Sequence, residues 1–120
     1  MSELQMGTNE SKFADIIWSN EPISAAMIAK RAEEALNWKK TTSYTVLKRL
    51  CEKGIFKNEK GIVSSLISRE EFYSMQSERF VEETFEGSLP AFLAAFTKRK
   101  ELKPEEIAEL RRMVDEYEVK

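Results

Sequence analysis

One short segment constrains the fold of this chain most, because it alone departs from helical patterning. Two runs containing β-branched or aromatic residues, 55–58 and 62–66, flank Glu59-Lys60-Gly61, a composition typical of a β-hairpin turn. Elsewhere the apolar residues recur at spacings of three and four, the period of an amphipathic helix. The sequence therefore predicts a mainly α chain with one two-stranded hairpin near its middle and no other strand.

Three helices are predicted before the hairpin. The first begins at Thr8 or Asn9, either of which can cap it, and the second and third cover about 25–36 and 40–53. Three helices followed by a hairpin is the layout of a winged helix-turn-helix, whose third helix enters the DNA major groove. The boundary residues are the capping Ser24, the break at Asn20-Glu21-Pro22, and Gly54 after the third helix.

Charge is distributed unevenly along the chain. The formal net charge is −2, yet residues 37–60 carry seven basic residues and only two acidic ones, Glu52 and Glu59. A local basic block on a nearly neutral chain suits a surface that faces phosphates. A solvated helix face is the alternative explanation. The basic residues of this block are Lys39, Lys40, Lys48, Arg49, Lys53, Lys57 and Lys60.

The third helix divides into two sides at 100° per residue. Ser43, Val46, Leu47 and Leu50 share the side that we expect to pack inward. On the other side Arg49 can read a guanine through two hydrogen bonds, and lysines can hold phosphates. Glu52 lies beyond the contact patch or orients Arg49. The predicted DNA contacts are Lys39, Lys40, Thr41, Thr42, Tyr44, Thr45, Lys48 and Arg49, with Lys60 at the hairpin tip.

The side chains that most often carry out catalysis are scarce in this sequence. The chain has no histidine and a single cysteine, Cys51, which excludes triads, Cys-His dyads and His-ligated zinc within one chain. Cys51 is expected to be a small apolar filler. We therefore predict no enzymatic activity, no cofactor and no metal. No apolar run is long enough to span a bilayer and no secretory signal is visible, so we expect a cytoplasmic protein without membrane contact.

The chain is predicted to divide into a DNA-binding domain, 1–67, and a helical dimerisation region, 68–120. The second region has three helices and too few residues to bury a stable core alone. Pairing with a second copy would cover its apolar residues and present two recognition helices to DNA. Folding back on the first domain is the alternative. The predicted dimer contacts are Phe72, Phe80, Phe85, Leu89, Phe92, Leu93, Phe96, Ile107, Leu110 and Val114.

Both halves resemble one known family, BlaI/MecI/CopY (penicillinase repressor). The resemblance covers about residues 9–117, and the spacing Trp38-x3-Thr42-x2-Thr45-x3-Arg49-Leu50 is its most specific part. It implies a homodimeric repressor that binds double-stranded DNA, with Thr42, Thr45 and Arg49 at positions that face DNA in the family. It also implies an inducer or a sensor protease as a further partner, of unknown identity.

Departures from the family pattern affect the wing and the release mechanism. The family's Gly-Arg in the wing is Gly61-Ile62 here, so we expect no wing contact beyond Lys60. The family's cleavable Asn-Phe bond aligns with Ala95-Phe96, and the C-terminal cysteine cluster of copper-responsive members is absent. We therefore expect neither release by cleavage at that bond nor copper sensing by such a cluster. We predict a sequence-specific repressor acting as a homodimer on a pseudo-palindromic operator. The alternative is a winged-helix adaptor that binds proteins without sequence-specific DNA binding.

Overall fold

Six helices and three strands make up residues 6–119, the part of the chain that this computed structural model describes. Every predicted helix is present, and the bounds predicted for the second and third helices agree with the structure to within one residue. In chain order the elements are α1 (Thr8–Asn20), β1 (Ile23–Ser24), α2 (Ala25–Leu36), α3 (Lys40–Glu52), β2 (Phe56–Glu59), β3 (Ile62–Ser65), α4 (Arg69–Phe85), α5 (Leu89–Thr97) and α6 (Pro104–Glu116).

The helix boundaries follow local chemistry with one exception. The Ser24 hydroxyl accepts a hydrogen bond from the Met27 amide at 3.1 Å, which confirms the predicted cap of α2. The prediction that Thr8 or Asn9 caps α1 was wrong, because the N-cap is Gly7, which has no side chain to accept a capping hydrogen bond. After α3, Gly54 adopts a φ of 81°, a left-handed conformation that carries the chain away from the helix.

The sheet has three strands, so the prediction of a hairpin alone was wrong. β3 lies in the centre of the order β1-β3-β2, and both pairings are antiparallel. Ile23 of β1 pairs with Val63, and the Ala25 amide donates to the Gly61 carbonyl at 2.8 Å. A strand of two residues is too short to show an alternating pattern, so no sequence pattern indicated β1. Its hydrogen-bond partners come from the neighbouring β3.

The core of the first compact unit, which ends at Ser77, lies between the three helices and the sheet. Trp18 and Trp38 both pack there. The Trp18 indole N–H donates to the Ile67 carbonyl at 3.0 Å, and Trp38 stacks on Phe13 with ring centroids 5.1 Å apart. The fold is mainly helical, and this unit is a winged helix-turn-helix in which β2 and β3 form the wing. Its fully buried large residues include Phe13, Ile17, Ile28, Leu50, Ile55, Phe56, Val63 and Phe72.

A second compact unit begins at Glu78, inside α4. Its aromatic rings meet mostly edge to face, with Phe85 and Phe92 centroids 5.6 Å apart and Phe80 and Phe92 centroids 6.1 Å apart. Among residues 78–119, however, no side chain is fully buried. These helices therefore leave much of their apolar surface open.

Candidate nucleic-acid interface

The orientation of α3 is decided by its buried side. Ser43, Val46, Leu47 and Leu50 point into the core, as the 100° periodicity predicted. Because an α-helix has one inward stripe, its other positions are directed to solvent. Each predicted DNA contact on and beside this helix is exposed: Lys39, Lys40, Thr41, Thr42, Tyr44, Thr45, Lys48 and Arg49. The structure thus brings all eight to one continuous outer face.

The amino end of α3 adds backbone donors to this outer face. Lys39 is the N-cap and makes no side-chain cap hydrogen bond. The first amides of a helix have no intrahelical acceptor, and the helix dipole gives this end a partial positive charge. Lys39 and Lys40 place cationic side chains at the same end. This combination is well suited to an anionic oxygen.

Two side-chain contacts order the middle of the face. The Lys40 ammonium lies 6.0 Å from the centre of the Tyr44 ring. The Thr45 hydroxyl donates to the Thr41 carbonyl at 2.9 Å, so its methyl group and remaining lone pair are the parts available to a ligand.

Arg49 is tied to another helix. Its Nη1 lies 3.3 Å from Oε2 of Glu10, in the first turn of α1. The interpretation that Glu52 could orient Arg49 was wrong, since the described residues give Arg49 one ion-pair partner and that is Glu10. Glu10 was not among the predicted site residues, because 39 positions separate it from Arg49 and no local spacing links the two.

The wing turn is held by its own side chains. The Gly61 amide donates to Oδ1 of Asn58 at 2.9 Å, and Lys60 adopts a φ of 54° between them. Lys57 pairs with Glu59 at 2.8 Å, which lowers the pKa of the Glu59 carboxyl through a hydrogen bond and charge attraction. Lys60 is therefore presented at the tip as predicted, while Lys57 is engaged within the wing.

Cys51 does not contribute to this surface. It packs against the core, and its burial together with the nearby Glu52 raises the pKa of the thiol. A protonated, half-buried thiol is a weak nucleophile, in keeping with the predicted filler role.

The predicted dimer contacts are not all in one unit. Phe72 is fully buried in the first unit, 5.7 Å from the Trp18 ring, so it is not available to a second chain. The other nine lie in the second unit. Phe92, Leu93, Phe96 and Leu110 line an open apolar groove of about 470 Å³ between α5 and α6.

Known proteins are similar in sequence over most of the chain. The sequence model of the penicillinase repressor family matches residues 6–116. The chain belongs to the penicillinase repressor family. A penicillinase repressor of Bacillus licheniformis is 24% identical over 117 residues, covering 94% of this chain and 91% of that protein.

Two staphylococcal proteins are similar to the same extent. The methicillin resistance regulatory protein MecI of Staphylococcus aureus strain Mu50 is 24% identical over 115 residues, 92% of this chain and 94% of MecI. A penicillinase repressor of Staphylococcus aureus is 25% identical over 122 residues, 98% of this chain and 97% of that protein. Family membership supports a role as a transcriptional repressor, and the family is not one of enzymes. Within residues 6–119 no helix is long and apolar enough to cross a bilayer.

Proposed function

We propose that this protein is a homodimeric repressor that binds a pseudo-palindromic DNA operator through α3. The observation that carries the proposal is the outer face of α3. It combines cations, hydroxyls and unsatisfied helix amides, while the opposite side is committed to the core. A convex, cationic helix has the size and chemistry to enter the major groove. Such a repressor works in the cytoplasm, where its operator lies.

The contacts divide into two kinds by chemistry. Lys39, Lys40, Lys48 and Lys60 supply point charges for phosphates, which fix register and orientation. Arg49 supplies a planar fork for the O6 and N7 acceptors of a guanine. A third group, Thr41, Thr42, Thr45 and Tyr44, offers hydroxyls for phosphates or bases, and the threonines also offer methyl groups for thymine.

A second copy of the chain is the proposed partner of the second unit. The apolar groove between α5 and α6 is open, and no side chain among residues 78–119 is fully buried. A matching surface on an identical chain would cover both grooves around one two-fold axis. The same axis would place one α3 on each half of a symmetric operator. We assign the dimer contact to Phe80, Phe85, Leu89, Phe92, Leu93, Phe96, Ile107, Leu110 and Val114.

Selection of bound duplexes from a random DNA pool at moderate salt tests this function. We expect enrichment of a two-fold symmetric motif. We also expect the logarithm of the association constant to fall steeply with the logarithm of the salt concentration, because several phosphate contacts are made. A folded sample that enriches no motif would overturn the proposal and favour the protein-binding adaptor.

Arg49→Ala is the matching residue test. We expect it to relax the preference at one base pair of each half-site and to weaken operator binding by about 1–3 kcal/mol. Lys60→Ala serves as the control, because loss of a phosphate contact weakens all sequences alike. An unchanged sequence preference in the Arg49 variant would contradict the base-reading role.

A further inference from the structure

Glu10 and Arg49 form an ion pair between α1 and the outer face of α3, and the proposed function assigns no role to Glu10. Glu10 stands in the first turn of α1, whose next residues Phe13, Ala14 and Ile17 are completely buried. Its carboxylate therefore sits on a rigid support. The Glu10 side chain is 17% exposed, whereas that of Arg49 is 51% exposed.

The contact uses only part of the guanidinium. Nη1 of Arg49 meets Oε2 of Glu10 at 3.3 Å. Among residues 6–119, no hydrogen bond to Nε or Nη2 accompanies it. Those two nitrogens form one edge of the fork, the pair that a guanine or a phosphate can accept from. The Arg49 side chain as a whole is about half exposed, and no described residue occupies that edge by a hydrogen bond.

We infer that Glu10 is a positioning residue for base recognition: it anchors Arg49 by one nitrogen and so directs the free edge of the guanidinium toward a guanine. The inference rests on the proposed function. A free arginine side chain samples many rotamers and loses that freedom when it binds. An arginine already held in one orientation loses less, and it discriminates better between correct and incorrect bases.

A purely structural tie between α1 and α3 predicts something different. Exposed ion pairs add little to folding stability. If Glu10 served only as such a tie, its removal would change the free energy of unfolding slightly and would leave the preference among base pairs unchanged. The two roles separate in the pattern of DNA binding, because positioning affects one base pair and a structural tie affects all duplexes equally.

The test compares Glu10→Gln with Glu52→Gln in the full chain. Both remove one negative charge near α3, but Glu52 makes no ion pair with Arg49 among the described residues. The duplexes are the selected operator, operators altered one base pair at a time, and an unrelated sequence. Affinities are measured by fluorescence anisotropy, and circular dichroism reports the fold of each variant.

We expect Glu10→Gln to reduce discrimination about five- to tenfold at the one base pair that Arg49→Ala relaxes, and at no other. In the Arg49→Ala background, Glu10→Gln should change discrimination no further, because both residues would act through the same base contact. Affinity for the unrelated duplex should change as it does in Glu52→Gln. Arg49→Lys, which keeps the charge and loses the fork, should lose the same preference.

Two failures are distinguishable. If the unaltered protein does not prefer its operator over the unrelated duplex, the proposed function fails, and the inference fails with it. If the unaltered protein discriminates and folded Glu10→Gln matches Glu52→Gln at every base pair, only the inference is overturned. If Glu10→Gln does not fold, Arg49→Lys decides, since full retention of the preference would show that no oriented fork is needed.

Discussion

Ser43 is the residue at which α3 departs from an apolar inward side. It is only 2% exposed, and its hydroxyl has no hydrogen-bond partner among the described residues. A buried hydroxyl without a partner has lost its bonds to water and gained nothing in return. The remaining inward positions of α3 are Val46, Leu47 and Leu50, which carry no polar atom to satisfy.

Replacement of Ser43 by alanine should therefore raise the free energy of unfolding by about 1 kcal/mol. Urea denaturation followed by circular dichroism measures it. Alanine also favours helices, so Ser74→Ala, at an exposed position inside α4, is the control for propensity. A gain at Ser43 no larger than the gain at Ser74 would mean that the hydroxyl is satisfied in solution.

At the scale of single elements, the transition from α3 to the wing depends on one glycine. Lys53 is the C-cap of α3, and Gly54 then turns the chain with a φ of 81° toward the buried Ile55. No atom lies within 4 Å of the position that a Cβ would occupy there. Conformation, and not space, is thus what requires glycine at this place.

Gly54→Ala should lower the free energy of unfolding by about 1 kcal/mol, because an alanine at this φ is strained. Asparagine tolerates the left-handed region better, so Gly54→Asn should cost less. Chemical denaturation of both variants supplies the comparison. Equal stability of the alanine variant and the unaltered protein would show that the junction can adopt another backbone conformation.

At the scale of the whole molecule, the two units differ in how well they bury their own apolar residues. The first has a core with several completely buried side chains, and the second has none among residues 78–119. A unit that buries little of its own surface depends on a partner for stability. The apolar groove lined by Phe92, Phe96, Leu102 and Leu110 is where the proposed homodimer would gain most.

Phe96→Asp should convert the proposed dimer to monomers and abolish operator binding, since a carboxylate would be buried in an apolar contact without a partner. Sedimentation velocity reports the mass, and anisotropy reports binding. Ala94→Asp adds the same charge to α5 at an exposed residue that does not line the groove, and it should remain dimeric. A Phe96 variant that sediments as a dimer would refute this interface.

Local sequence patterns were enough to predict the helices, the wing and the outward-facing residues of α3. Apolar spacing and the capping serine act over three or four residues, and such local relations can be read from one chain. For the same reason the buried side of α3 was predictable from Ser43 to Leu50. Family membership was also predictable from the sequence, and the family model matches residues 6–116.

The remaining features depend on contacts between elements that are distant in the chain. β1 exists because β3 offers it hydrogen bonds, Phe72 is buried because Trp18 lies beside it, and Arg49 is anchored because α1 brings Glu10 to it. Each of these joins residues 38 or more positions apart in the chain. Their partners are set by how the elements pack, and a single sequence carries no local pattern that specifies such packing.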